Sequence, residues 1–134
     1  MPGRPRILFV DDEPKVLSGL KRALRNRADV WDMDFIALPE AALASYRISP
    51  PDVVVSDLAM PGMSGLDMIL AMRSAGSESE FILLTGTGTF TTAVDAINRA
   101  GIHRFFTKPC PTDLLAEGIA SALAERRAVG SWRR

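Results

Sequence analysis

Four short apolar runs, each stopped by a polar residue, constrain the fold more than any other feature of this chain. Ile7-Leu8-Phe9-Val10 ends at Asp11, Val53-Val54-Val55 at Ser56-Asp57, Phe81-Ile82-Leu83-Leu84 at Thr85, and Phe105-Phe106-Thr107 at Lys108. A run that is apolar at consecutive positions suits a strand covered on both faces, as in a parallel sheet, whereas a half-exposed strand alternates. The segment from Trp31 to Leu38 is closer to alternation and is expected as the strand nearest an edge. Between the runs the period becomes helical. Val16, Leu17, Leu20 and Leu24 share a face behind Pro14; Leu66, Ile69 and Met72 repeat the pattern; so do Ala93, Val94, Ile97 and Ala100, then Leu114, Leu115, Ile119, Ala122 and Leu123 behind Pro111. A short helix is expected from about Pro39 to Arg47, before Ser49-Pro50-Pro51. Five strands alternating with five helices predict an α/β, (βα)5 chain whose parallel sheet is crossed right-handedly and carries helices on both faces.

The 134 residues, 47% of them hydrophobic, are enough for one domain with a core that needs no disulfide or metal. Sixteen Lys and Arg balance sixteen Asp and Glu, which argues against a dedicated nucleic-acid binder; beyond Arg126, Arg127, Arg133 and Arg134 the arginines read as dispersed. A single cysteine, Cys110, and a single histidine, His103, leave oxygen ligands for any metal. The longest apolar run, Met68 to Met72, is far short of the ~18 residues of a membrane span. The N-terminus has too short an apolar stretch for a secretory signal, so a soluble, cytoplasmic protein without membrane contact is expected.

In a parallel α/β sheet, ligands sit at the carboxyl ends of the strands, where strand order reverses. Every expected strand but the second delivers a polar residue there: Asp11 and Asp12, Asp57, Thr85 and Lys108. Three carboxylates in one cleft repel each other unless a cation neutralises them. Mg²⁺, which takes a few carboxylate or carbonyl oxygens together with water and a phosphate, suits an acid cluster without His or Cys. Lys108 adds a mobile positive charge and Thr85 a hydroxyl donor, so the set describes a site for a transferring phosphoryl group with Asp57 as the nucleophile. One such acid alone would as readily cap a helix or solvate a loop; their occurrence at matching strand ends is the stronger observation.

These residues carry a resemblance. From Ile7 to about Arg127 the chain resembles the receiver domain of two-component response regulators. The motifs are Val10-Asp11-Asp12-Glu13-Pro14, the segment Asp57-Leu58-Ala59-Met60-Pro61-Gly62-Met63-Ser64-Gly65, the hydroxyl of Thr85, and Thr107-Lys108-Pro109. The resemblance implies a flavodoxin-like, doubly wound fold with a five-stranded parallel sheet of order 2-1-3-4-5. It implies a receiver over residues 6–127, with 1–5 as a tail and 128–134 as a tail or linker stub. Asp57 would accept a phosphoryl group from a sensor histidine kinase or phosphotransfer protein. Asp12, Asp57 and the Ala59 carbonyl would hold Mg²⁺, with Asp11 acting through water. Lys108 would pair with the phosphoryl oxygens across a cis bond to Pro109, Thr85 would turn toward the phosphate, and Phe105 would rotate inward. The change would reach a face built from a helix of about Thr91 to Arg99, the Phe105 strand and a helix of about Thr112 to Arg127. That face would serve an output domain, a partner or a homodimer, and would expose Asp95, Arg99, Arg104 and Glu117. Two departures stand out: Ala59 where the family often has a larger polar residue, and Phe105 rather than Tyr. Residues Ala96 to Phe105 resemble receivers that precede cyclic-di-GMP phosphodiesterase domains.

Two other function classes use the same residues. A small Mg²⁺-dependent aspartate-nucleophile phosphatase would want its nucleophile and a second acid two residues apart after the first strand, and Asp11-Asp12-Glu13 lacks that arrangement's spacing to a following Thr or Val. A scaffold that binds partners without phosphorylation would have no need of the acid pair, Asp57, Thr85 and Lys108 together. His103 is expected at the surface, Cys110 as a structural residue rather than a redox sensor, and Thr85-Gly86-Thr87-Gly88-Thr89 as a switch loop, since it lacks the Gly-Lys-Ser/Thr ending of a phosphate loop. Met60, Met63, Met68 and Met72 are expected in loop and core packing, and the terminal arginines with Trp132 as a frayed helix end or linker stub.

Overall fold

A computed structural model describes residues 3–76, 78–86, 98 and 101–132, with side chains described as far as Arg126. Five strands form one parallel sheet: β1 (Arg6–Val10), β2 (Asp32–Ile36), β3 (Val53–Ser56), β4 (Glu80–Thr85) and β5 (Arg104–Thr107), in the order β2-β1-β3-β4-β5. Four helices are described among them: α1 (Pro14–Ala23), α2 (Pro39–Ile48), α3 (Gly65–Ser74) and α4 (Thr112–Trp132). A 3₁₀ turn at Arg25–Arg27 follows α1. The helix expected between Thr91 and Arg99 falls outside the described residues, apart from Asn98. The last helix continues to Trp132, past the expected end at Arg127.

The strand-order expectation is met, and β2 stands at an edge as its alternating pattern implies. The continuous apolar runs are explained by the two cores. Leu8, Val10, Val54, Phe81 and Leu83 point to the face covered by α2 and α3, where Ala42, Leu43, Tyr46, Met68, Ile69 and Met72 meet them. Their neighbours Ile7, Phe9, Val53, Val55, Ile82 and Leu84 point to the opposite face, against Leu17, Leu24, Leu115, Ile119 and Ala122 of the α1–α4 side. A strand side chain alternates between faces, so a strand buried on both must be apolar throughout. Met60, Met68 and Met72 are buried and Met63 is half-buried, in keeping with a packing role.

Helix starts follow local chemistry. Pro14 and Pro39 occupy first turns, where the missing N–H is no loss. The Ser64 hydroxyl accepts from the Asp67 amide at 3.1 Å and caps α3. At the amino ends of the strands, Asp52 accepts the Arg6 amide at 2.8 Å and pairs with Arg126 of α4 at 2.7 Å, tying β1 and α4 to the turn before β3.

His103 corrects an expectation. It is tucked in rather than at the surface, because β5 begins under α4: Nε2 lies 3.1 Å from the Ser121 hydroxyl and Nδ1 3.8 Å from Glu80. Cys110 is half-buried, and burial pushes its thiol up, against the partial offset of a backbone hydrogen bond involving Leu115. A thiol held in that direction is a poor thiolate, in keeping with a structural residue.

Candidate functional site

The sheet register brings the polar strand ends together. Ser56 of β3 pairs with Val10 of β1, so Asp57 and Asp11 leave neighbouring strands at the same level, and the Asp57 amide donates to the Val10 carbonyl at 3.0 Å. Thr85 and Thr107 are register partners on β4 and β5, and the Lys108 amide donates to the Thr85 carbonyl at 2.7 Å. Backbone pairing therefore aims Lys108 back across the sheet. Its ammonium lies 2.7 Å from Asp11 Oδ2 and 3.3 Å from Asp57 Oδ2. The Lys108–Pro109 peptide is cis, as the resemblance implies.

Asp11, Asp12 and Asp57 each offer a carboxylate oxygen within 4.8 Å of the others. Asp11 and Asp57 are buried and Asp12 is half-buried. Lys108 offsets one of the three carboxylate charges, leaving an excess that a hard divalent cation would fill. The donors are all oxygens, which suits Mg²⁺ or Ca²⁺ and not a thiolate-seeking metal. Burial pushes the Asp57 carboxyl above its ordinary value, with Lys108 opposing and Asp11 reinforcing the rise. Burial would lower the Lys108 ammonium, but its contacts with Asp11 and then Asp57 outweigh it and hold the ammonium above its ordinary value.

Of the other expected residues, Thr85 is buried at the end of β4 and Phe105 is half-buried on β5, packed against the α2–α3 core. Ala59 is exposed, and its amide donates to Asp57 Oδ1 at 3.4 Å. Thr87 to Thr89, Asp95 and Arg99 lie outside the described residues; Arg104 and Glu117 are exposed.

Two contributors escape a reading by residue type. The Glu13 amide donates to Asp11 Oδ1 at 2.9 Å, so Asp11 is held from both sides, by its own turn and by Lys108. Gly65 presses on the backbone of the acid itself: a Cβ there would stand 2.1 Å from the Asp57 carbonyl oxygen, and its amide donates to the Leu58 carbonyl at 2.8 Å. An eight-residue separation between an acid and a glycine carries no signal of such an approach. The loop between them does carry one at Gly62, whose φ of 80° lies in the left-handed region.

Residues 7–120 match the family model of the response regulator receiver domain. The chain belongs to that family. Among curated relatives, this receiver is 34% identical over 126 residues to the C4-dicarboxylate transport transcriptional regulatory protein DctD of Pseudomonas aeruginosa, covering 92% of this chain and 26% of that protein. It is 36% identical over 123 residues to the two-component response regulator PhoP of the same organism, covering 90% of this chain and 52% of that one. The receiver thus spans about a quarter of one relative and about half of the other. A crystal structure described as adenylate cyclase from Rhodopirellula baltica superposes with a TM-score of 0.88 at 32% identity, over 98% of this chain and 96% of that chain. Receivers are the signalling domains of two-component systems, and no helix among the described residues is long and apolar enough to cross a membrane.

Proposed function

We propose that this receiver accepts a phosphoryl group on Asp57 from the phosphohistidine of a sensor kinase or phosphotransfer protein, in a Mg²⁺-dependent reaction in the cytoplasm. The observation that carries the reading is the shared environment of Asp57: a buried carboxylate, two further acids within 4.8 Å, and the Lys108 ammonium 3.3 Å away. Asp12, Asp57 and the Ala59 carbonyl would hold the ion, with Asp11 acting through water. Bound there, Mg²⁺ would neutralise charge on the acids and on the phosphoryl oxygens.

An Asp57 carboxylate oxygen attacks phosphorus, the N–P bond of the donor breaks, and the imidazole leaves with the bonding pair. Lys108 then exchanges a carboxylate partner for a phosphoryl oxygen, since it already reaches Asp57. Thr85 supplies a hydroxyl donor from the end of β4, and Phe105 moves with it. That change at β4 and β5 would alter the face that β5 forms with α4, to which an output domain, a partner protein or a second copy would bind. The small exposed Ala59 leaves one side of Asp57 without a bulky neighbour.

Beryllofluoride and acetyl phosphate separate this reading from its rivals. A receiver binds beryllofluoride only with Mg²⁺ and retains an acyl phosphate after acetyl phosphate treatment. Catalytic release of phosphate over many turnovers would mark a phosphatase, and absence of both responses would mark a scaffold that works unphosphorylated.

A further inference from the structure

We propose a second ligand site, remote from the acid cluster, that takes a nucleoside monophosphate. A cleft of about 460 Å³ opens between α1 and the edge strand β2, within the size range of small-molecule sites. Trp31, Met33 and Phe35 line its apolar side, and Ser18, Lys21, Arg22 and Arg25 its polar side.

The cleft follows from the topology. As the edge strand, β2 has a neighbour on one side only, and the buried residues Leu17 and Leu24 join a core with Ile7 and Phe9 of β1 that holds Met33 and Phe35 only at its margin. The core-facing side chains of β2 are therefore incompletely covered, and Met33 and Phe35 remain half-exposed. The Phe35 ring is already set flat, stacked on Phe9 at 4.7 Å with 8° between planes. Trp31 is buried, lies beneath Arg27 at 5.9 Å, and its indole N–H has no hydrogen-bond partner among the described residues. Flat aromatic surface with a spare donor suits a planar heterocycle.

The opposite wall supplies charge. Residues 18, 21 and 22 are spaced at i, i+3 and i+4 on α1, and Arg25 opens the 3₁₀ turn that follows, so cations that read as dispersed along the chain meet on one wall of the cleft. Lys21, Arg22 and Arg25 are exposed, and none has a carboxylate partner among the described residues. The one acid of the cleft, Asp32, is already paired with Arg4 at 2.8 Å, which limits its repulsion of an anion and leaves oxygens to accept from an amino group. Three unpaired cations beside an aromatic floor, in a chain of zero formal net charge, favour a ligand that is anionic at one end and planar at the other. An acidic peptide would satisfy the cations without using the stacked floor.

The site is independent of phosphorylation at Asp57, and it can be tested with chelator present, so that no metal links a phosphate to the acid cluster. With Trp132→Phe, Trp31 becomes the sole tryptophan. AMP titrated into this variant in EDTA is expected to change its fluorescence saturably and to shift backbone amides between Ser18 and Phe35. Adenosine and inorganic phosphate, each half of the ligand, should bind about tenfold more weakly or worse. The triple variant Lys21→Gln, Arg22→Gln, Arg25→Gln should lose about tenfold in AMP affinity while melting as its parent does, and Asp57→Asn should bind AMP unchanged. The proposal is overturned by no saturable response, by phosphate binding as well as AMP, by unchanged affinity in the triple variant, by loss of binding in Asp57→Asn, or by an acidic peptide displacing AMP at lower concentration than AMP itself requires.

Discussion

Asp57 is costly to keep charged, and that cost has a pH signature. Burial raises its carboxyl above the ordinary 3.8, so the folded state holds a proton that the unfolded chain has already released. Stability from this residue therefore falls as pH rises from about 3.8 through the raised value, and the whole penalty is present above it. Asp57→Asn, which keeps the shape and removes the charge, should raise the metal-free melting midpoint at neutral pH by roughly a few degrees and lose that advantage below the ordinary carboxylate range. A pH series of thermal melts in EDTA checks it; an equal gain at every pH would show that charge is not the cause. Asp11 and Asp12 differ in a second way. Asp11 is engaged by Lys108 and by the Glu13 amide, whereas Asp12 has no ion pair among the described residues and is the freer ligand. Asp11→Ala should weaken Mg²⁺ by about 10–100-fold, the range for a residue acting behind the ligands, and Asp12→Ala by more. Titration calorimetry returning equal losses would contradict that order.

At the scale of elements, the segment between β3 and α3 is where packing reaches the chemistry. Gly65 opens α3 against the Asp57 and Leu58 backbone, so Gly65→Ala must push either the helix or the acid aside. A destabilisation of about 1–3 kcal/mol in urea melts is expected, together with weaker Mg²⁺ binding than in the parent. Loss of stability with unchanged metal affinity would place the strain in α3 alone. Much of this architecture was legible in the chain. Runs such as Ile7 to Val10 declare a doubly covered strand because both faces need apolar residues, and the polar residue that stops each run marks the carboxyl end at which the sheet gathers its site. Register was not legible, yet register sets Asp11 beside Asp57 and turns Lys108 toward both. The position of His103 is not legible either: its partial burial is decided by α4 lying over the start of β5, a contact with Ser121 from 18 residues away. The groove beside β2 was likewise invisible, since an unfilled space leaves no pattern in the residues around it.

For the whole molecule, a modification at one end of the sheet must be felt across the β4–β5 side. The Lys108 amide bonded to the Thr85 carbonyl ties those two strand ends together, and Phe105 packs against the same core as Leu83. Beryllofluoride with Mg²⁺ should change amide hydrogen exchange mainly between residues 86 and 104. Changes centred on α1, with Thr85 and its surroundings unaffected, would contradict that route. The most direct test lies at the acid itself. After acetyl phosphate and Mg²⁺, the intact protein should gain the mass of one phosphoryl group, borohydride trapping and peptide mapping should locate it at Asp57, and chelation of the metal or Asp57→Asn should abolish it. A phosphoryl group on another residue, or on Asp57 at an undiminished rate without metal, would contradict the account.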